Sequence, residues 1–207
     1  MTTPMPSPSA EGTERFGMRQ RLTMMVNRYE FHHLDEAGQE AGLFAFAEQK
    51  RMALKEQVSI YADAEKTRLL CAFKARTVMD LGATYDVTDE NGVAIGWFRK
   101  QFAKSLVRST WQVGTVDGLT ATGQERNPTV AVLRRVWEFV PIVGEIPVPF
   151  LFHFDFVGPD GQVVMSRVRR PALRDVYEIS LPHVGGRRID RRMALAIAVA
   201  LDALQSR

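Results

Sequence analysis

The residues best equipped for chemistry in this sequence are basic and fall into two matching sets. Arg99, Lys100, Lys104 and Arg108 follow one apolar run; Arg167, Arg169, Arg170 and Arg174 follow another, with Lys50 and Arg51 as candidate additions. A guanidinium can grip two oxygens of one phosphate, and an ammonium acts as a point charge. The chemistry these sets imply is therefore anion binding, with ordinary exposed strand ends as the alternative reading. In an extended strand Arg167 and Arg169 share a face while Arg170 points away. Around a packed interior these charges are expected on the outer wall or at a rim.

Other reactive types are sparser. His32, His33, His153 and His183 show no metal-binding spacing, and neighbouring strand residues such as His32 and His33 face opposite ways. Neither a metal nor another cofactor is expected. Ala103-Lys104-Ser105 lacks the glycines of a phosphate loop, and no G-x-S-x-G or G-x-G-x-x-G occurs. Asp86 and Asp155 are expected to bond turn amides rather than to act as an acid–base pair. Trp97, Phe98 and Trp111 could stack on nucleic-acid bases, but core packing is the better expectation. Cys71, the only cysteine, lies in an apolar stretch and reads as an inert core thiol.

The elements that must hold these residues are mostly strands. Ten short segments rich in Val, Ile, Thr and aromatics are separated by turn residues: Leu22–His33, Gly42–Ala47, Gln57–Ala62, Arg68–Arg76, Ala83–Thr88, Val93–Gln101, Arg108–Gly114, Phe150–Val157, Val163–Arg170 and Asp175–Leu181. Such regular spacing suggests a sandwich or a barrel. A pattern also repeats. Tyr85-Asp86 is followed by Gly92, Phe154-Asp155 by Gly161 and, more weakly, Phe31-His32 by Gly38. Each is an aromatic-led strand entering a turn in which glycine takes a positive φ. A duplicated antiparallel hairpin is the reading, with coincidence of common turns as the alternative.

Two segments break the strand pattern. Asn127–Val140 reads as a helix capped by Asn127 with Pro128 in its first turn, packed as a connector. Residues 190–205 read as a second helix, because five alanines favour helix over strand. Met193, Ile197, Leu201 and Leu204 cluster on one side, yet Leu195 and Val199 face the other way. A helix apolar all round must be buried on every side. Its nine-residue apolar run, Met193–Leu201, is shorter than the roughly 20 residues that span a bilayer. A cylinder of strands around the helix would bury it and leave no open sheet edge.

The whole chain has 207 residues, 45% hydrophobic and 25% charged, enough for a sizeable core in one domain. Residues 1–20 are expected to form a disordered arm and residues 21–207 a single domain. The opening lacks the apolar core of a secretory signal, and one cysteine excludes internal disulfides, so a cytoplasmic protein is expected, at most peripheral to a membrane. Residues 1–97 hold 11 Lys/Arg against 14 Asp/Glu, and residues 98–207 hold 16 against 10. A basic second half attracts anions.

Glu48-Gln49-Lys50, Lys55–Tyr61, Gly82–Val87, Gly96–Lys100, Lys104–Trp111 and Asp190–Asp202 come in the order in which similar stretches occur in the LURP-one-related family. Over residues 22–205 the sequence resembles that family, which belongs with tubby C-terminal domains and phospholipid scramblases. The resemblance implies a mainly β fold: a closed antiparallel barrel of about twelve strands around a central hydrophobic C-terminal helix. It also implies that any site lies on the outer wall or at a rim. Tubby-like relatives bind phosphoinositide heads through basic outer-wall residues. The scramblase features carry over poorly, since the cysteine cluster is missing and Arg191-Arg192 stands where an acidic calcium loop would be.

The expectation is a non-catalytic binding or scaffold domain that contacts an anionic membrane surface, a phosphoinositide-like headgroup or a protein partner. A scramblase-like protein and an enzyme with a rim site are the alternatives. Nucleic-acid binding ranks last.

Overall fold

The computed structural model describes residues 12–22, 26–50, 57–76, 83–101, 110–126, 153–170 and 176–205. They form twelve strands: β1 Glu14–Leu22, β2 Val26–Leu34, β3 Glu40–Lys50, β4 Val58–Tyr61, β5 Leu69–Ala75, β6 Thr84–Asp89, β7 Ala94–Gln101, β8 Thr110–Thr115, β9 Thr120–Glu125, β10 His153–Val157, β11 Val163–Arg169 and β12 Val176–Leu181. Each pairs antiparallel with its neighbours in chain order, and β1 pairs with β12 to close the barrel. One helix, α1 Arg191–Gln205, follows β12.

Two strands go beyond the ten expected. β1 takes residues 14–20 out of the arm expected over residues 1–20. Its Phe16 and Met18 are buried, while Arg15, Arg19 and Arg21 on the alternate face carry carboxylate partners. The seam with β12 runs from Glu14↔Leu181 to Arg19↔Val176, so this segment is what shuts the cylinder. β9, Thr120–Glu125, is the other addition. The helix expected over Asn127–Val140 lies outside the described residues.

The helix fills the lumen. From Met193 to Leu201 no residue is more than 1% exposed. Alternating alanines keep the cylinder slim enough to sit against strands all round, and each buried Leu, Ile or Val contributes roughly 1.5–3 kcal/mol. The wall is fitted to it. A Cβ on Gly96 would lie 2.7 Å from Met193 Sδ and 2.5 Å from the Gly114 carbonyl oxygen. Asp190 caps the helix as expected, its Oδ1 accepting from the Arg192 amide at 2.7 Å.

The repeated hairpin is present in β2–β3, β6–β7 and β10–β11, and again in β8–β9. In each, a glycine amide bonds the carbonyl three residues earlier: Gly38 to Asp35, Gly92 to Asp89, Gly118 to Thr115 and Gly161 to Gly158. These glycines have φ between 74° and 85°, a region costly for residues with a Cβ. The β2–β3 hairpin folds over the outer wall, laying Leu34 near Gly17 and Glu40 against Arg19.

Candidate functional site

Most arginines on the outer wall are already matched to carboxylates. Arg76 grips Asp86, with Nε at 2.8 Å and Nη2 at 2.6 Å. Arg126 grips Asp155 in the same way, at 2.6 and 2.7 Å. The two pairs occupy equivalent places: each arginine amide bonds the strand opposite, Arg76 to Thr84 and Arg126 to His153. Asp86 and Asp155 therefore do not bond turn amides, as the sequence suggested. Asp89 and Asp160 do that, accepting from the amides of Val93 and Gln162 at 2.8 and 3.1 Å.

Of the eight candidate anion-binding residues, the five described do not converge. Lys104, Arg108 and Arg174 lie outside the described residues. Arg170 is occupied, its Nε 3.0 Å from Glu178 and its Nη1 2.7 Å from the Gly38 carbonyl. Arg15 joins the same carboxylate at 2.6 Å. Burial would raise the Glu178 pKa, but the bonds from Arg15 and Arg170 outweigh it and hold the carboxyl below its ordinary value. Lys100 and Arg169 pair in register with Trp111 and Tyr177, on the inner face at strand ends, and are half-buried. Arg167 corrects the outer-wall expectation outright, being 2% exposed and inside the barrel.

Arg99 alone among the described members stands exposed on the wall. Its Nε donates to Gln112 at 2.7 Å and its guanidinium carbon lies 5.6 Å from the Trp97 ring centroid. No carboxylate among the described residues is within ion-pair reach of it. Beside it a groove of about 420 Å³ crosses β7 to β10, lined by Trp97, Gln112, Thr120, Thr122, Val157 and Pro159. Gly114 makes the depression: a Cβ there would be 2.7 Å from the Trp97 indole, which lies across the bare backbone. Trp97 thus departs from the expected core role, whereas Phe98 and Trp111 are fully buried as expected.

A second polar region lies inside the barrel at the C-terminal end of α1. Asp202 accepts from Gln20 Nε2 of β1 and, at 2.9 Å, from the Tyr29 hydroxyl of β2. Arg167 Nη2 of β11 is 3.9 Å from Asp202 Oδ1, and its guanidinium carbon sits 3.6 Å from the Tyr177 ring centroid on β12. Burial first, and then the Asp202 charge, push the Tyr29 phenol far above its ordinary range. Several buried polar atoms here have no hydrogen-bond partner among the described residues: Arg167 Nε and Nη2, Asn27 Oδ1, Gln49 Oε1 and Trp111 Nε1. Each such atom costs about 1–3 kcal/mol when dry and unmet.

A helix-filled antiparallel barrel with this seam and this terminal helix can be set beside known families. The family model for LURP-one-related proteins matches residues 44–202. The chain belongs to the LURP-one-related family. No curated protein matches the sequence. Among solved structures, a porin-like protein from Bacteroides uniformis is similar at 10% identity, covering 85% of this chain and 98% of that one, with a TM-score of 0.23. No helix among the described residues is long and apolar enough to cross a membrane.

In this LURP-one-related chain the interior polar end was not anticipated from the sequence. Gln20, Asn27 and Gln49 are polar residues on the inward side of otherwise apolar alternation, and that break in period was the available signal. Among the described residues no three His, Cys, Asp or Glu side chains group as a metal site. Cys71 is buried and its thiol is pushed up to about 12 by burial.

Proposed function

We propose that this LURP-one-related chain is a non-catalytic binding domain that contacts anionic headgroups at the outer-wall groove beside Arg99. The observation that carries the reading is the state of Arg99. The neighbouring arginines Arg76 and Arg126 are neutralised by carboxylates, while Arg99 is held by the neutral Gln112 and the face of Trp97 at a groove edge. An exposed guanidinium pre-oriented by an aromatic ring is suited to a phosphate oxygen pair, and Thr120, Thr122 and Gln112 supply hydrogen-bond partners for neutral hydroxyls.

The non-catalytic part of the reading is supported by the middle of the lumen, where α1 fills the axis from Met193 to Leu201. In this reading the protein meets a membrane from outside, through its wall.

Sedimentation with vesicles tests it. The protein should pellet with phosphatidylcholine vesicles doped with phosphatidylserine or phosphoinositide at low salt, and not at high salt, where exposed charges are screened. Arg99→Ala should reduce the pelleted fraction several-fold. Equal recovery with neutral and anionic vesicles would remove the proposal.

A protein partner is the second reading. Val93 and Val116, at the adjoining β6–β7 and β8–β9 turns, are 61% and 70% exposed. They sit close together, since the Val116 amide bonds the Ile95 carbonyl.

A further inference from the structure

The lumen changes character along its axis. Its middle is apolar, with Phe31, Ile60, Val87 and Phe156 closing on the helix, all fully buried. At the C-terminal end of α1 five consecutive strands, β11, β12, β1, β2 and β3, turn polar side chains inward: Arg167, Tyr177, Gln20, Asn27 and Gln49. Asp202 projects from the helix into this arc.

The arc is too polar to be explained by anchoring the helix alone. Asp202 is served by Gln20 and Tyr29. Arg167 stacks on Tyr177 and reaches Asp202 only at 3.9 Å, beyond hydrogen-bond distance. The two guanidinium atoms left without hydrogen-bond partners among the described residues, Nε and Nη2, form one edge of the group. That edge is the one that meets two oxygens of an oxyanion side by side. Two further orphaned atoms, Asn27 Oδ1 and Gln49 Oε1, belong to residues paired in register across β2 and β3, and they call for donors. A buried charge with a whole donor edge unmet is rare in a finished core.

We propose that this end of the lumen is a binding site for a small hydroxylated oxyanion. Its phosphate or carboxylate group lies on the Nε–Nη2 edge of Arg167, and its hydroxyl hydrogens meet Asn27 and Gln49. Asp202 bounds the site and disfavours a second negative charge beside it, which selects a singly placed oxyanion over a polyanion. The site is separate from the outer-wall groove, because Arg167 faces inward and Arg99 outward.

Calorimetric titration and thermal unfolding of the full chain with glycerol 3-phosphate, inorganic phosphate and glycerol test it. Glycerol 3-phosphate should bind saturably and raise the unfolding temperature, inorganic phosphate should do so more weakly, and glycerol should do neither. Arg167→Lys keeps the charge but loses the paired edge, and should weaken binding by roughly tenfold or more. Should that variant fail to fold, Gln49→Leu removes one acceptor and should narrow the gap between glycerol 3-phosphate and inorganic phosphate. Run in the Arg99→Ala background, which removes the outer-wall phosphate contact, the titration should keep the component that Arg167→Lys weakens. Short-chain phosphatidic acid micelles form a second arm, also in the Arg99→Ala background: heat of binding there that Arg167→Lys abolishes, with none from free glycerol 3-phosphate, would mark a lipid as the source of the oxyanion and still support the site. The proposal is overturned if neither source binds, or if the wild type and Arg167→Lys bind equally.

Discussion

The Tyr29 hydroxyl donates a 2.9 Å hydrogen bond to Asp202 Oδ2, tying β2 to the last turns of the central helix. This contact answers an electrostatic problem. The helix begins with Arg191 and Arg192 and carries Asp202 near its end, opposite to what its dipole favours. The barrel supplies what the helix lacks: Glu14 meets Arg191, Glu90 meets Arg192 at 3.2 Å, and Gln20, Tyr29 and Arg167 meet Asp202. Charges and dipoles on the wall thus complement the helix at both of its ends.

Removing the two members of that contact should have unequal costs. Tyr29→Phe loses one hydrogen bond to a charged acceptor and should lower the unfolding free energy by about 1.5–3 kcal/mol. Asp202→Ala leaves the Arg167 guanidinium buried without its counter-charge and should cost about 3–5 kcal/mol. Pairing Asp202→Leu with Arg167→Met should cost less than Asp202→Ala alone. Denaturant unfolding of the four proteins measures this, and an Asp202→Ala loss no larger than that of Tyr29→Phe would contradict the assignment.

Stability should fall in acid partly through Glu178. Its carboxyl is held below the ordinary value of 4.5 in the folded protein, so the folded state binds protons less readily than the unfolded chain. That stabilisation is complete above pH 4.5 and is lost as pH drops towards and through the lower folded value. Glu178→Gln removes it. The variant should be less stable than the wild type at neutral pH and lose less on acidification below pH 4.5, as read by thermal unfolding across a pH series. Parallel profiles for the two proteins would show that Arg15 and Arg170 do not act through this carboxylate.

Much of this architecture is legible in the residues, for physical reasons that also explain the gaps. The alanine-spaced tail reads as a buried helix because no other environment accepts apolar groups on every side. β9 escapes notice because none of its inward residues is a large apolar one: Ala121 and Gly123 are small and Glu125 is charged. The space beside the small ones is taken by neighbours, and a Cβ on Gly123 would come within 2.4 Å of Phe156. The hairpin repeat is legible in Tyr85-Asp86…Gly92, yet its fourth member, Trp111-Gln112…Gly118, hides because Thr115 replaces the turn aspartate. Thr115 Oγ1 does the same work, accepting from the Leu119 amide at 3.1 Å. Arg167 reads as a strand-end charge, since nothing local distinguishes it from Arg169 and Arg170. Its burial is decided by Asp202 and Tyr177, which are distant in sequence or on another strand.

The groove depends on a missing side chain. Gly114→Ala would place a Cβ 2.7 Å from the Trp97 indole, forcing the ring off the wall. Trp97 is half-buried and can tilt towards solvent, so the stability cost should be near the low end of overpacking, about 1 kcal/mol. The Arg99 guanidinium, resting over that ring, loses its platform. Tryptophan emission should shift to the red, and retention on anionic vesicles should drop while the far-ultraviolet circular dichroism stays unchanged. Unaltered vesicle retention with a clear red shift would separate Trp97 from the binding function.

Cys71 reports on whether the helix stays in place. Its side chain is fully buried, its Sγ lies 3.6 Å from the Arg192 carbonyl at the start of α1, and burial pushes the thiol up to about 12. The thiolate is the reactive form, so a thiol reagent added at pH 8 has almost no target while the barrel is closed. Labelling should be absent in the native protein over minutes and complete in denaturant. Under native conditions it should proceed at the rate of barrel opening, which Asp202→Ala should accelerate by weakening the far end of the helix. Rapid native labelling, in wild type and variant alike, would mean that the first turn of α1 does not cover β5 in solution.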